Sequence, residues 1–270
     1  MTDHPLGSTL KAIRRDLGLS QEALAGAVGT TQRHMSFLET GRSAPTRSMI
    51  ARIVTAVRLS SAHRAALFEA AGFRSPYPRR ELDDVDVQRT LDLITRQLLH
   101  HWPFPGFVVD NDWTFLRANG PGQRMIELFD VENMLALFLS PQFQPLVENW
   151  EEASASFYTR IQDVARRSTP VRDALDTAIA DGRFEHVPRF LAGTEEVPIY
   201  VPIVVQMPDL PPLRFTSMHG RLVSVHDAVA ESFEVELMVP LDERSEGPMR
   251  TVFGDQVERE THGHPRSATG

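Results

Sequence analysis

The chain has 270 residues with 41% hydrophobic content, enough for two compact domains or one large one. Its formal net charge of −8, from 28 Lys plus Arg against 36 Asp plus Glu, argues as a whole against a nucleic-acid partner, because phosphate recognition needs positive charge. The absence of cysteine excludes disulfides, thiolate zinc sites and cysteine nucleophiles; with no signal-peptide pattern and no apolar run of about 18 residues, a cytoplasmic location and no membrane span are expected. The charge is not evenly spread. Residues 1–80 hold 12 basic and 5 acidic side chains, a net of +7, whereas residues 81–270 hold 16 and 31, a net of −15.

The segment 1–73 reads as five short helices. Leu10, Ile13 and Leu17 recur at helical spacing and Gly18 stops the first. Ser20 caps a second helix that ends near Gly29, and a third starts after Thr30 and runs to Gly41. Thr46 caps a fourth, turning Met49, Ile50, Ile53, Val54 and Val57 inward, and Ser60 or Ser61 caps a fifth that carries Leu67, Phe68 and Ala71.

The second and third helices, joined at Gly29, form a helix-turn-helix. Thr31, Gln32, Arg33 and His34 crowd the first turn of the third helix, while Met35 and Leu38 supply its core face. A helix that enters the major groove meets base edges with its N-terminal residues; Gln pairs bidentately with adenine and Arg with guanine. Gln21, Arg42 and Ser43 are expected over flanking phosphates.

Ser20-Gln21-Glu22-x-Leu24-Ala25, Gly29 and Met35-Ser36-x-Leu38-Glu39-x-Gly41 resemble the helix-turn-helix of the xenobiotic-response-element family over residues 6–73. The resemblance implies an all-α, lambda-repressor-like five-helix domain that binds a double-stranded DNA operator. In it the residue matching Gln21 clamps a phosphate, and those matching Gln32, Arg33 and Ser36 or Phe37 face the groove.

Residues 74–85, with Pro76, Pro78, Arg79 and Arg80 giving way to Glu81, Asp83 and Asp84, read as a linker. A helix over 86–100 follows. Two strands, 106–110 and 113–117, are joined at Asn111-Asp112. Helical patterns cover 119–129, 132–139, 145–168 and 170–180, and strands return at 197–207, 213–218 and 233–239. Pro198, Pro202 and Pro208 make the 197–207 strand an edge or a bulged strand. The segment 255–270 is expected to be a disordered tail.

All three Trp and 12 of the 15 Phe lie beyond residue 80; each alone reads as ordinary core, and together, in a mixed sheet flanked by aromatic-rich helices, they suit the enclosure of an apolar ligand. The hairpin Phe107-Val108-Val109-Asp110-x-x-Trp113-x-Phe115-Leu116-x-x-Asn119 is similar to the opening of a PAS-like domain. With Asn133-Met134-Leu135-x-Leu137-Phe138, Asn149-Trp150-Glu151 and Phe233-x-Val235-Glu236, residues 86–254 resemble the MmyB-like ligand-binding domain. That resemblance implies a small apolar effector such as a long-chain fatty acid. The candidate tunnel is Phe107, Phe115, Met125, Phe129, Phe138, Trp150, Phe157 and Ile161, and Arg117, Arg160 or His219 are candidates to meet a carboxylate.

No nucleophile elbow, phosphate loop or H-E-x-x-H helix is present, so no enzyme, no metal site and no required cofactor are expected. The resulting expectation is a homodimeric transcription regulator that senses an apolar effector, with its dimer contacts in the acidic half. The alternatives are an acidic half that serves as a protein-interaction or dimerisation module, or one that holds haem or flavin.

Overall fold

The structure, a computed structural model, describes residues 4–77, 80–166, 168–196, 198–223 and 227–254. The expected tail 255–270, Pro78 and Arg79 of the expected linker, and Val197 at the start of an expected strand lie outside the described residues. Two compact units result, residues 1–87 with 222–232, and residues 88–221 with 233–270.

The first unit contains α1 (Pro5–Asp16), α2 (Gln21–Val28), α3 (Gln32–Glu39), α4 (Arg47–Ala56) and α5 (Ser61–Ala70). Side-chain hydroxyls start four of them: Ser20, Thr31, Thr46 and Ser60 accept from the N–H groups of Ala23, His34, Met49 and His63 at 3.0–3.2 Å. Each such cap satisfies an otherwise orphaned donor and contributes about 1 kcal/mol. Thr31 therefore precedes α3 as its cap. Leu6, Leu10, Ile13, Leu24, Met35, Leu38, Ile50, Ile53 and Leu67 form a closed core.

The turn between α2 and α3 depends on Gly29, whose φ of +71° lies in the left-handed region that a Cβ disfavours. Arg52 of α4 donates to the carbonyls of Val28 and Gly29, each at 2.6 Å, and so ties the turn to the bundle.

After α6 (Val85–Gln97) the chain forms β1 (Gly106–Val109), β2 (Phe115–Ala118), α7 (Gly120–Phe129), α8 (Met134–Phe138), α9 (Trp150–Ala165), α10 (Thr169–Ala180) and α11 (Val187–Gly193). It continues through β3 (Ile203–Val205), β4 (Leu213–Gly220), α12 (Ala228–Glu231), β5 (Glu234–Pro240) and α13 (Glu243–Phe253). Residues 222–232, with α12, group with the first unit, where the Glu231 carboxylate accepts from the Ser61 N–H at the start of α5.

The strands form an antiparallel sheet in the order β2-β1-β5-β4-β3. β1 is buried along its whole length, as an inner strand with an entirely apolar tail requires. β3 lies at the edge and keeps only three residues, consistent with the prolines on both sides of it. The register of β4 with β5 puts His219 directly opposite Glu236.

Two asparagines fix this layer. Asn119, capping α7, accepts from the N–H groups of Gly106 and Gly122 at 3.0 and 2.9 Å and donates to the carbonyls of Trp102 and Phe104 at 2.9 and 2.8 Å. Asn149, at the start of α9, donates to Pro202 O at 2.7 Å and accepts from Val204 N at 3.0 Å, which pins that helix end to β3. The helix expected over 145–168 consequently starts at Trp150. Three helices, α11, α12 and α13, have no counterpart in the periodicity; Gly247-Pro248 lies within α13, where the sequence reads as a break.

Candidate functional site

α3 presents its first turn outward. Thr31, Gln32 and Arg33 are exposed, and His34, Ser36 and Phe37 are half-buried. The Arg33 guanidinium lies 5.3 Å from the centroid of the Phe37 ring one turn later, so this aromatic supports the arginine on the exposed face. Arg42 is exposed and Ser43 half-buried in the loop after α3; both of their N–H groups donate to the Phe37 carbonyl. The Gln21 amide nitrogen donates to Glu39 at 2.7 Å, which holds the start of α2 against the end of α3.

Glu39 is 2% exposed in a unit rich in cations. Arg14 of α1 donates to it from Nε at 2.7 Å and from Nη2 at 3.3 Å, and also donates to the Leu19 carbonyl. Arg14 and Glu39 were legible as an anomaly: Glu39 follows Met35 and Leu38 at i+4 and i+1 on the core face, and Arg14 stands beside Leu10 and Ile13 in the same way. Charged groups at core spacing are retained only when paired. This pair locks α3 onto α1.

In the second unit, Met125, Phe138, Phe157, Arg160 and His219 of the ligand candidates line one cavity of about 250 Å³. Met134, Leu137, Phe143, Phe215 and Met238 complete an apolar wall, while Ser156, Thr216, Ser217 and Glu236 join Arg160 and His219 as its polar lining. Phe138 and Phe157 are stacked with centroids 3.6 Å apart, and Trp150, half-buried, stacks on Phe138 at 4.9 Å from outside the lining. Phe107, Phe129 and Ile161 are core residues, and Phe115 packs on Phe107 at 4.9 Å. Arg117 donates to Gln88 at 2.6 Å and pairs with Asp92 at 3.6 Å, off the cavity.

Glu236 is the residue that the aromatic count misses. Its carboxylate is 3% exposed, accepts from Arg160 Nη2 at 2.9 Å and Nη1 at 3.4 Å, and lies 3.8 Å from His219 Nε2. Burial alone would raise its pKa, but the Arg160 charge and hydrogen bond, with help from His219 and Ser217, hold it below the ordinary value of 4.5. Burial pushes His219 below 6.5, so its imidazole is neutral at pH 7; Glu236 and Glu234 oppose that shift, while Arg160 and Arg221 add to it. The alternation of β5 gave no signal for it, since Glu236 falls on the same face as Glu234; the structure buries Glu236 along with Val235, and a buried carboxylate on a strand needs a cation. A larger cleft of about 510 Å³ is lined by His100, His101, Trp102, Asn119 and Arg250 among others, a mixed lining without a continuous apolar wall.

Among the described residues no helix is long and apolar enough to cross a membrane, and no three His, Asp or Glu converge as metal ligands.

A polar-tipped helix on a capped five-helix core, followed by an α+β layer around an apolar cavity, defines a DNA-binding regulator with a sensor domain. Comparison with known families agrees: residues 5–67 match the helix-turn-helix domain, and residues 92–246 match the MmyB-like transcription regulator ligand binding domain. The second match covers more than half of the chain, which belongs to that family of transcription regulators. None of the curated proteins matches it. The chain is thus a DNA-binding transcription regulator with a ligand-binding domain, and both families are in general non-enzymatic.

Proposed function

We propose that this regulator reads its operator as a homodimer through Gln32, Arg33 and their neighbours, and that the 250 Å³ cavity seats a small amphiphilic effector with a fatty chain. The observation that carries the ligand reading is the cavity's division into an apolar wall from α7, α8, α9 and the sheet, and a polar end at Arg160, His219 and Glu236. A chain of methylenes gains about 0.8 kcal/mol for each one removed from water, and the polar end orients the molecule. The volume lies just below the 300–1,000 Å³ typical of ligand pockets, which favours chains of medium length over the longest fatty acids.

Two half-sites a helical turn apart need two reading helices, and one small domain buries too little DNA for a selective contact, which supports the dimer. A DNA partner supports a cytoplasmic location. An effector acts on DNA affinity by binding two arrangements of the dimer unequally.

The test is organic extraction of purified protein with mass spectrometry, followed by thermal melts with added amphiphiles. A ligand at one hundred times its Kd stabilises its domain by about 2.7 kcal/mol. Phe157→Asp, which puts a charge into the apolar wall, is expected to abolish that stabilisation and leave DNA binding by the first unit intact. Extracts without a bound species, together with melts that no amphiphile shifts, would return the second unit to a protein-interaction role. A visible absorbance band would favour haem or flavin.

A further inference from the structure

The proposal that follows rests on the cavity being the ligand seat, and concerns the charge of the ligand's head group. The polar end of the cavity is already electrically balanced. Arg160 on α9 and Glu236 on β5 form a two-bonded pair at 2.9 and 3.4 Å, and Arg160 Nη2 also lies 3.2 Å from His219 Nδ1 on β4. The guanidinium also lies near two adjacent rings, 4.7 Å from the Trp113 ring centroid and 6.0 Å from that of Phe157. Arg160 therefore cannot swing to an incoming anion without abandoning a carboxylate that is 3% exposed.

A free carboxylate head at this end would bring a second anion to the same guanidinium, beside buried Glu236. Two carboxylates competing for one guanidinium beside buried Glu236 cannot both ionise without a cost, so one takes up a proton. An ammonium head would meet the mirror problem at Arg160. An uncharged head meets neither: a hydroxyl or amide N–H donates to Glu236, its oxygen accepts from Arg160 or from Thr216 or Ser217, and no net charge is buried.

We propose that the effector of this protein is a neutral amphiphile, a medium-length apolar chain ending in a hydroxyl, amide or undissociated carboxyl head that lies between Glu236 and Arg160.

The test uses the full-length protein and four probes of one chain length: decanol, decanamide, decanoate and decylamine, with affinities measured by calorimetry between pH 6.5 and 8. Over that window Glu236, held below its ordinary value, keeps its charge and His219, pushed below 6.5, is mainly neutral; Arg160, Arg221 and Glu234 are the other charged side chains that act on them. Decanol and decanamide are expected to bind at least about tenfold more tightly than decanoate or decylamine at pH 7.5. Decanoate should gain about tenfold in affinity for each pH unit of acidification, as one proton is taken up per ligand bound. Glu236→Gln is isosteric and removes the anion, so in that variant decanoate should overtake decanol and lose its pH dependence. Decanoate binding to the native protein as tightly as decanol, with no pH dependence, would overturn the head-group inference and leave the cavity reading standing. Tightest binding by decylamine would do the same. If no probe of any head binds, the cavity reading falls and takes this inference with it. The native-protein pH series decides the matter even if the variant fails to fold.

Discussion

Replacing Gln32 and Arg33 together by alanine should separate the selectivity of the first unit from its affinity for DNA in general. Both side chains are exposed on the first turn of α3, and neither contributes to the closed core of Leu24, Met35, Leu38 and Ile50, so the fold should survive. A good bidentate contact to a base edge contributes about 1–3 kcal/mol of discrimination, so losing two removes about 2–6 kcal/mol. That is about a 30-fold to 10⁴-fold fall in the affinity ratio between selected and scrambled DNA. The upper half of that range is expected, because Arg33 is held over Phe37 at 5.3 Å and arrives at the groove already ordered. The assay is fluorescence anisotropy on an operator obtained by selection from random duplex, at several salt concentrations. Residual binding should keep a steep salt dependence, since Arg42 and the helix N-termini remain to face phosphates. Arg42→Ala is the contrast: it should weaken binding to all sequences alike and lower the salt slope by about 0.9. An unchanged ratio in the double variant, with a melt like that of the native protein, would show that α3 is not the reading helix.

Further outcomes follow from buried polar groups. Asn119→Ala leaves two buried N–H groups and the carbonyls of Trp102 and Phe104 without their partner, which should cost about 3 kcal/mol and lower the melting temperature of the second unit by roughly 6–12 °C. Scanning calorimetry reads this directly, and a loss below 1 kcal/mol would mean that other groups take over the bonds. Glu39→Leu should destabilise the first unit by about 2–3 kcal/mol, because Arg14 keeps its charge in a largely covered site; Arg14→Met with Glu39→Leu should recover most of the loss in a urea-unfolding cycle. Acid should destabilise the second unit. Glu236 is depressed below its ordinary value, so its contribution is complete above about pH 4.5 and is lost as pH falls through its lower folded value. His219, also depressed, prefers to be protonated in the unfolded chain and adds to the loss below pH 6.5. Glu236→Gln should flatten the acid limb of a stability-against-pH curve; an identical limb would place the titrating group elsewhere.

The first unit was almost entirely legible in the order of its residues. Its helices are short, four of the five begin at a hydroxyl that caps them and several end at a glycine, and the polar first turn of α3 stands out because nothing in a core needs it. These are local signals, set within about four residues of chain. β3 was legible as an edge for the same reason, since a proline withholds its donor wherever the chain folds.

The cavity was legible only as a composition. An excess of aromatics beyond residue 80 calls for an apolar layer, but their order does not say which side chain faces an opening and which packs behind it. Met125, Phe138 and Phe157 face the cavity, whereas Phe107, Phe129 and Ile161, of like chemistry and like spacing, fill the core. Arg117 and Arg160 were equal candidates for a head group; the register of β4 against β5 and the seating of α9 by Asn149 gave the place to Arg160, while Arg117 found Gln88 and Asp92.

The amino-acid order by itself determined the charge division, the capped helices and the exposed polar first turn of α3, because caps, turns and helical faces act over a few residues. Only the tertiary structure decided that Glu236 lies buried against Arg160, because that pair joins residues 76 positions apart. It is this pair that turns a basic candidate for a carboxylate into a neutral, balanced site.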